Sequence, residues 1–334
     1  MFYTGFLLNG LTTNRHPAIP AVPLVDVVGV GLNAADTLIA LPHFPVAGSK
    51  VEFSELLTLP GGQVASAMAA CATWGLRTRY VGKLGDDAAA GLHEAEFARL
   101  GVEAHCIAVP DCHSRQSIIL LDERGERTVL WRRDERQNLL AAELRAEWIR
   151  QARVLLVDGY DTAAATQAAE WARAARVATV ADLDELYTGI ENLLARTDYA
   201  IVSRDFPQRL TGEATLEAAL RTMMRRYGHR LAAATLGEDG VLAWDGERML
   251  HVEAFPVPVR DTTGAGDIFH AGFVYALLQE WPLERQLAFA CAAAALNCTA
   301  AGARGGIGSV EEIERLMSTR QPDAGGQRAA EWNR

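Results

Sequence analysis

The run Asp261-Thr-Thr-Gly-Ala-Gly-Asp267 sets small residues between two carboxylates and leads straight into the helical apolar pattern of Ile268-Phe-His-Ala-Gly-Phe273. Gly264, Ala265 and Gly266 leave almost no side chain above a first helical turn. Backbone N–H groups there can converge on an anion, because the first turn's donors are unpaired and the macrodipole favours negative charge. A carboxylate at Asp267 is oddly placed for anion binding alone. It is well placed to take a proton from a hydroxyl attacking a phosphate held by the same N–H groups. That chemistry is phosphoryl transfer to an alcohol. The competing account is a capped helix in which Asp267 only complements the dipole.

Seven defined positions with Phe269 and Gly272 behind them weigh against the plain cap. The run resembles the C-terminal signature D-T-x-G-A-G-D of the ribokinase-like (PfkB) carbohydrate kinases. The resemblance implies a Rossmann-like main domain and a β-sheet lid, inserted near the N-terminus, that covers the sugar and often forms a dimer contact. It extends to other segments. Gly61-Gly62 ahead of a helix is similar to the family's N-terminal glycine pair, which lets sugar hydroxyls approach the backbone. Many members carry Asn four residues after that pair; Ser66 stands here, a shorter group that would hold a different hydroxyl. Asp36 follows the first strand, where open α/β sheets bind ligands, and the family's Asp there accepts from sugar hydroxyls. A turn-forming Asp is the alternative.

Gly82-Lys-Leu-Gly-Asp-Asp87 resembles the family's G-x-x-G-D-D segment, although a glycine turn with an Asp N-cap accounts for it physically. Thr235-Leu-Gly-Glu-Asp-Gly240 resembles the T-x-G-x-x-G turn that meets nucleotide phosphates, which assigns Thr235, Gly237 and Gly240 to the nucleotide; a hairpin turn is the rival reading. The resemblance also implies adenine beside the small-residue helix Cys291–Cys298, with Asn297 as a base contact. Asp261 and Thr263, with carbonyls of Gly302–Gly306, would hold a monovalent cation such as K⁺. The family's N-x-x-E magnesium motif is missing: the segment reads Ile201-Val-Ser-Arg-Asp-Phe-Pro207, leaving Ser203 and Asp205 as the nearest Mg²⁺ candidates. Mg²⁺ is still expected with ATP, whose phosphates need neutralising. Arg115, Arg132 and Arg133 flank a hairpin and are either solvated or, if it is the lid, within reach of a substrate phosphate or sulfonate. Ser114–Ser117, Gly125–Arg127 and Gly302–Ile307 look closest to the fructose-type and sulfofructose-type branch. Trp131 and Tyr160 argue against a sulfonated substrate.

The elements that must position these residues follow from periodicity. Val25–Gly31 is a β-branched run closed by glycines, a buried strand. Thr37–Leu41 and Ser49–Leu59 alternate and are punctuated by prolines, so they are strands exposed on one face, outside the main sheet. Ser117–Asp122 and Arg127–Trp131 form a hairpin. Further strands are predicted at Val154–Val157, Val177–Ala181, Tyr199–Val202, Leu231–Thr235 and Val241–Trp244, with helices filling the gaps. The fold class is α/β: a doubly wound, mostly parallel sheet with helices on both faces, plus a small β lid. One domain over residues 24–320 is expected, with lid segments at about 37–60 and 113–133. Residues 1–23 read as a leader and 321–334 as a polar tail, both poorly ordered.

At 334 residues with 49% hydrophobic and 22% charged residues, the chain has an ordinary globular composition. A formal charge of −10 argues against nucleic acid or an anionic membrane as the main partner. Cys71, Cys106, Cys112, Cys291 and Cys298 form no C-x-x-C pair or metal spacing, which fits free thiols in a reducing cytoplasm. No basic n-region and no ~20-residue apolar span is present. The expectation is a cytoplasmic, ATP-dependent kinase acting on a primary hydroxyl of a furanose-type sugar, fructose- or ribose-like, and a homodimer paired through its lid. Rival readings are a nucleoside, phosphosugar or sulfosugar kinase on the same scaffold, and a catalytically idle sugar- or nucleotide-binding relative. An NAD-binding protein is disfavoured, since Gly29-Val-Gly31 stops short of G-x-G-x-x-G.

Overall fold

The computed structural model describes residues 24–124, 127–132 and 134–320. The leader, the tail, Gly125 and Arg133 lie outside the described residues. The strands are β1 (Val27–Val30), β2 (Ala34–Leu41), β3 (Glu55–Gly61), β4 (Thr78–Leu84), β5 (Glu103–Ala108), β6 (Gln116–Asp122) and β7 (Arg127–Arg132), followed by β8 (Val154–Asp158), β9 (Ala178–Leu183), β10 (Tyr199–Ser203), β11 (Leu231–Thr235), β12 (Val241–Trp244) and β13 (Met249–Val252). The helices are α1 (Gln63–Thr73), α2 (Ala88–Leu100), α3 (Ala146–Arg150), α4 (Thr162–Ala175), α5 (Ile190–Leu194), α6 (Phe206–Thr211), α7 (Leu216–Tyr227), α8 (Ala265–Leu278), α9 (Leu283–Asn297) and α10 (Val310–Ser318).

Among the described residues, nine strands form one sheet in the order β13-β12-β11-β10-β9-β8-β1-β4-β5. It is parallel from β11 to β5, and the hairpin β11–β12–β13 closes it antiparallel. Strands buried on both faces read as continuous apolar runs: Val27 and Leu156 pack on one side with α1, α8 and α9, while Val28 and Leu155 pack on the other with α4 and α7. The doubly wound architecture is therefore as expected. The sequence reading missed β5 and β13, both edge strands of mixed polarity.

The lid is a second sheet, ordered β3-β2-β6-β7, with β2 and β6 parallel. Of the expected 49–59 strand only Glu55–Leu59 pairs with β2, in a strand that continues to Gly61, while Ser49 N turns back to Val46 O at 3.0 Å. Period-two alternation gives this sheet two faces. Asp36, Ser117 and Trp131 lie in one cross-strand row that lines a cavity. Leu56, Ile118 and Leu130 are exposed on the other face.

Candidate active site

Gly264 is the N-cap of α8 at φ 76°, and a Cβ there would lie 2.3 Å from Ala303 O. Glycine alone meets both demands. The helical ladder opens with Ile268 N donating to Gly264 O at 2.9 Å. The N–H groups of Gly266 and Asp267 lie ahead of it, among the donors a helix start leaves unpaired. Two buried side chains brace the loop from behind. Asp261 accepts from Thr263 N at 2.9 Å and from Gly302 N at 2.8 Å. Asn297 donates to Thr263 O at 3.3 Å and Ala303 O at 3.1 Å, and accepts from Gly306 N at 3.3 Å.

The loop separates two cavities. One, of about 610 Å³, is lined by Thr262, Ala265 and Gly266 together with Thr235, Gly237 and Gly240. The other, of about 520 Å³, is lined by Thr263, Gly264 and Asp267 together with Asp36, Gly62 and Arg115. Residues expected to meet a nucleotide and residues expected to meet a sugar thus stand on opposite sides of one wall, with Asp267 on the sugar side. The turn after β11 is both a hairpin connection and a cavity edge: Gly240 has φ 89°, and a Cβ there would meet Val252 O at 2.0 Å.

Asp36 accepts from Ser117 Oγ at 2.5 Å, and burial raises its carboxyl above the ordinary carboxylate range against that bond. Asp267 is pushed up to about 7, first by burial and then by the neighbouring carboxyls of Asp182 and Asp36, with His270 and Arg304 opposing. Arg115 is buried. It pairs with Asp161 at 3.0 Å, and its guanidinium carbon lies 4.6 Å from the Tyr160 ring centroid. Its Nε and Nη1 have no hydrogen-bond partner among the described residues.

Other expected residues sit elsewhere. Ser66 is buried in α1 and accepts from Arg304 Nε at 3.1 Å, so its hydroxyl is engaged behind the sugar cavity rather than lining it. Asn297 braces the loop and does not line the nucleotide cavity. Asp205 is an exposed N-cap residue of α6 lining neither cavity, which does not fit a magnesium ligand. Among the described residues no cluster of three or more His, Cys, Asp or Glu could hold a metal ion. Thr263 Oγ1, in contrast, is buried without a partner among the described residues and beside Asp261, a donor set that fits a monovalent cation. Asp87 is the α2 N-cap, accepting from Ala90 N at 3.1 Å, as the physical reading of its motif held.

Several residues of the site escaped the sequence reading. The side chain of Arg304 is buried and ties Gly61 O (2.9 Å), Ser66 and Glu96 together. Asp158 closes β8, accepts from Leu32 N at 2.6 Å, and is pushed up to about 7 by burial. Asp182, beside it on β9, meets His270. Carboxylates at the carboxyl ends of parallel strands were the available signal. Arg127 on β7 donates to Thr262 Oγ1 at 3.1 Å, and Arg260 pairs with Glu55 of β3 at 3.3 Å, tying the lid to the loop.

A model of the pfkB family carbohydrate kinases matches residues 34–308. The ribokinase of Bacillus subtilis (strain 168) is 26% identical over 297 residues, spanning 88% of this chain and 99% of that protein. The crystal structure of a candidate ribokinase from Agrobacterium tumefaciens matches with a TM-score of 0.83 at 28% identity, covering 88% of this chain and 98% of the other. Arabidopsis thaliana ribokinase complexed with ribose and ATP matches with a TM-score of 0.73 at 25% identity, covering 89% of this chain and 99% of that one. With a family match over most of its length and the fold to accompany it, the chain belongs to the pfkB family of carbohydrate kinases.

Proposed function

We propose that this kinase transfers the γ-phosphoryl group of MgATP to a primary hydroxyl of a furanose-type sugar, with Asp267 as general base. The observation that carries the reading is the shared wall: Thr262 and Gly266 line one cavity, Gly264 and Asp267 the other. Asp267 takes the hydroxyl proton as the sugar oxygen bonds to the γ-phosphorus and the bridging oxygen leaves with ADP. The N–H groups at the start of α8 stabilise charge on the transferring group. Asp36 and the Gly61-Gly62 turn orient the acceptor, and the lid excludes water that would otherwise be phosphorylated. Mg²⁺ arrives with ATP, held by phosphates and water. Asp261 and Thr263 would hold K⁺ and so support the fold of the loop.

An ADP-release assay over sugars, nucleosides and sugar phosphates, with and without K⁺, tests the reading. With the accepted sugar, Asp267→Asn should lower kcat by roughly 10²–10⁴-fold while MgADP still binds in calorimetry. Near-normal turnover would remove Asp267 from the role of base, and saturable sugar binding without ADP formation would make the chain an idle binder. A second reading, a substrate carrying an anionic group, is favoured by Arg115, Arg127 and Arg132 lining the sugar cavity. A preference for phosphosugars over neutral sugars in the same panel would establish it. The exposed Leu56, Ile118 and Leu130 on the outer lid face fit a second copy of the chain. A dimer by light scattering that Leu130→Glu dissociates would support that pairing, and a wild-type monomer would end it.

A further inference from the structure

His270 lies one turn beyond Asp267 on α8 and is buried. Its Nδ1 is 2.7 Å from Gly266 O and 3.2 Å from Asp182 Oδ2, and its Nε2 is 3.1 Å from Ile201 O. All three neighbours are oxygens. A neutral imidazole carries a single N–H and cannot satisfy both sides. The missing proton comes from Asp182: on Nδ1 it donates to Gly266 O, and on the carboxyl it donates to Nδ1. Burial raises Asp182 and lowers His270, which opposes separated charges, while the close approach to Gly266 O draws the proton towards nitrogen. Either way the two groups together carry no net charge and span from the first turn of α8 to the middle of β10.

We propose that Asp182 and His270 are positioning residues that act as one unit, sharing a proton, to fix Gly266 in the first turn of α8. The inference rests on Asp267 being the base. The groups facing this cluster are Asp36 from the lid, Asp158 and Asp184 from the sheet end, and Arg304 from the loop before α10. Without His270, burial still holds Asp182 protonated, so what is lost is the side-chain contact to Gly266 O and not the neutrality of the site.

The test is steady-state kinetics with the sugar accepted in the panel above. His270→Asn should lower kcat by about tenfold or more while the sugar KM stays within about twofold, because the misplaced group is the one that meets the transferring phosphoryl. Asp182→Asn should cause the same loss, and the double variant should lose no more than either single variant, because residues that act as a unit are not additive. Losses that add in the double variant, or a sugar KM that rises with the fall in kcat, overturn the proposal. A ¹⁵N-histidine titration of the wild-type protein, which needs neither turnover nor a variant that folds, gives a second readout. It should show His270 Nε2 protonated and its imidazole unchanged from pH 5 to 9, whatever the base proves to be. A His270 resonance titrating normally in that range overturns the shared-proton unit.

Discussion

Asp36 and Gly61 meet so closely across β2 and β3 that a Cβ on Gly61 would lie 1.9 Å from Asp36 Oδ2. The glycine therefore sets the position of the carboxylate that faces the acceptor cavity. Gly61→Ala should displace Asp36 and raise the sugar KM by tenfold or more, about 1.4 kcal/mol or above in binding terms, while the ATP KM stays within about twofold. Steady-state kinetics with each substrate varied in turn decides this; equal losses for both would assign Gly61 to the fold alone.

The pH dependence of activity follows from Asp267. Burial and neighbouring carboxylates hold its carboxyl at about 7, and only the ionised form accepts a proton. kcat/KM should rise with pH below about 7, with unit slope on a logarithmic plot, and level above it. A profile flat from pH 5 to 8 would contradict the assignment.

Stability should run the opposite way. Because the folded pKa of Asp267 lies above the ordinary value of 3.8, this group favours the folded state fully below that value, and its contribution is lost as pH rises through about 7. Asp158, also held at about 7, acts in the same direction. Asp267→Asn should melt higher than the wild type at pH 8 and close to it at pH 4.5, as thermal scans at the two pH values would register. The carboxyl opens onto a cavity, so solvent screening reduces the effect.

Gly264→Ala combines a left-handed φ of 76° with a 2.3 Å approach to Ala303 O. It should destabilise the protein by more than about 1 kcal/mol and abolish most turnover, since either the loop or the 303 segment must move. Denaturant melts alongside kcat measure both. An active variant of wild-type stability would mean that the wall tolerates displacement.

Asn297 gives a cleaner division between two roles. As a brace it makes three hydrogen bonds to the backbone of the 263 and 303–306 segments. Asn297→Ala should cost roughly 2–4 kcal/mol of stability through buried backbone groups left unpaired and leave the ATP-to-GTP preference unchanged. Altered base preference with stability intact would restore the adenine-contact reading.

What the sequence made legible was local. The 261–267 run, the hairpin turn at 235–240 and the buried strands each depend on residues within a few positions of one another, so their types and spacing show them. Asp36 and Gly61 were legible as separate polyol contacts, but their mutual approach needs the β2–β3 register. Ser66 and Asn297 were drawn into ligand roles because their partners lie 238 and 6 to 34 residues away, in two loops, before α8 and before α10, whose meeting no pattern reveals. Arg304 stayed invisible for the same reason: an arginine in a glycine-rich loop reads as solvated, yet here the lid, α1 and α2 close over it.

The wall between the cavities has a consequence for how such an enzyme can change. On the proposed assignment, donor and acceptor cavities are separated by the thickness of one loop, held by Gly264, Asp261 and Asn297. The acceptor side is completed largely by residues of a separate small sheet, the donor side wholly by the main body. Exchanging β6 and β7 for those of another chain would then retool what is phosphorylated while leaving intact the half that handles the phosphoryl donor.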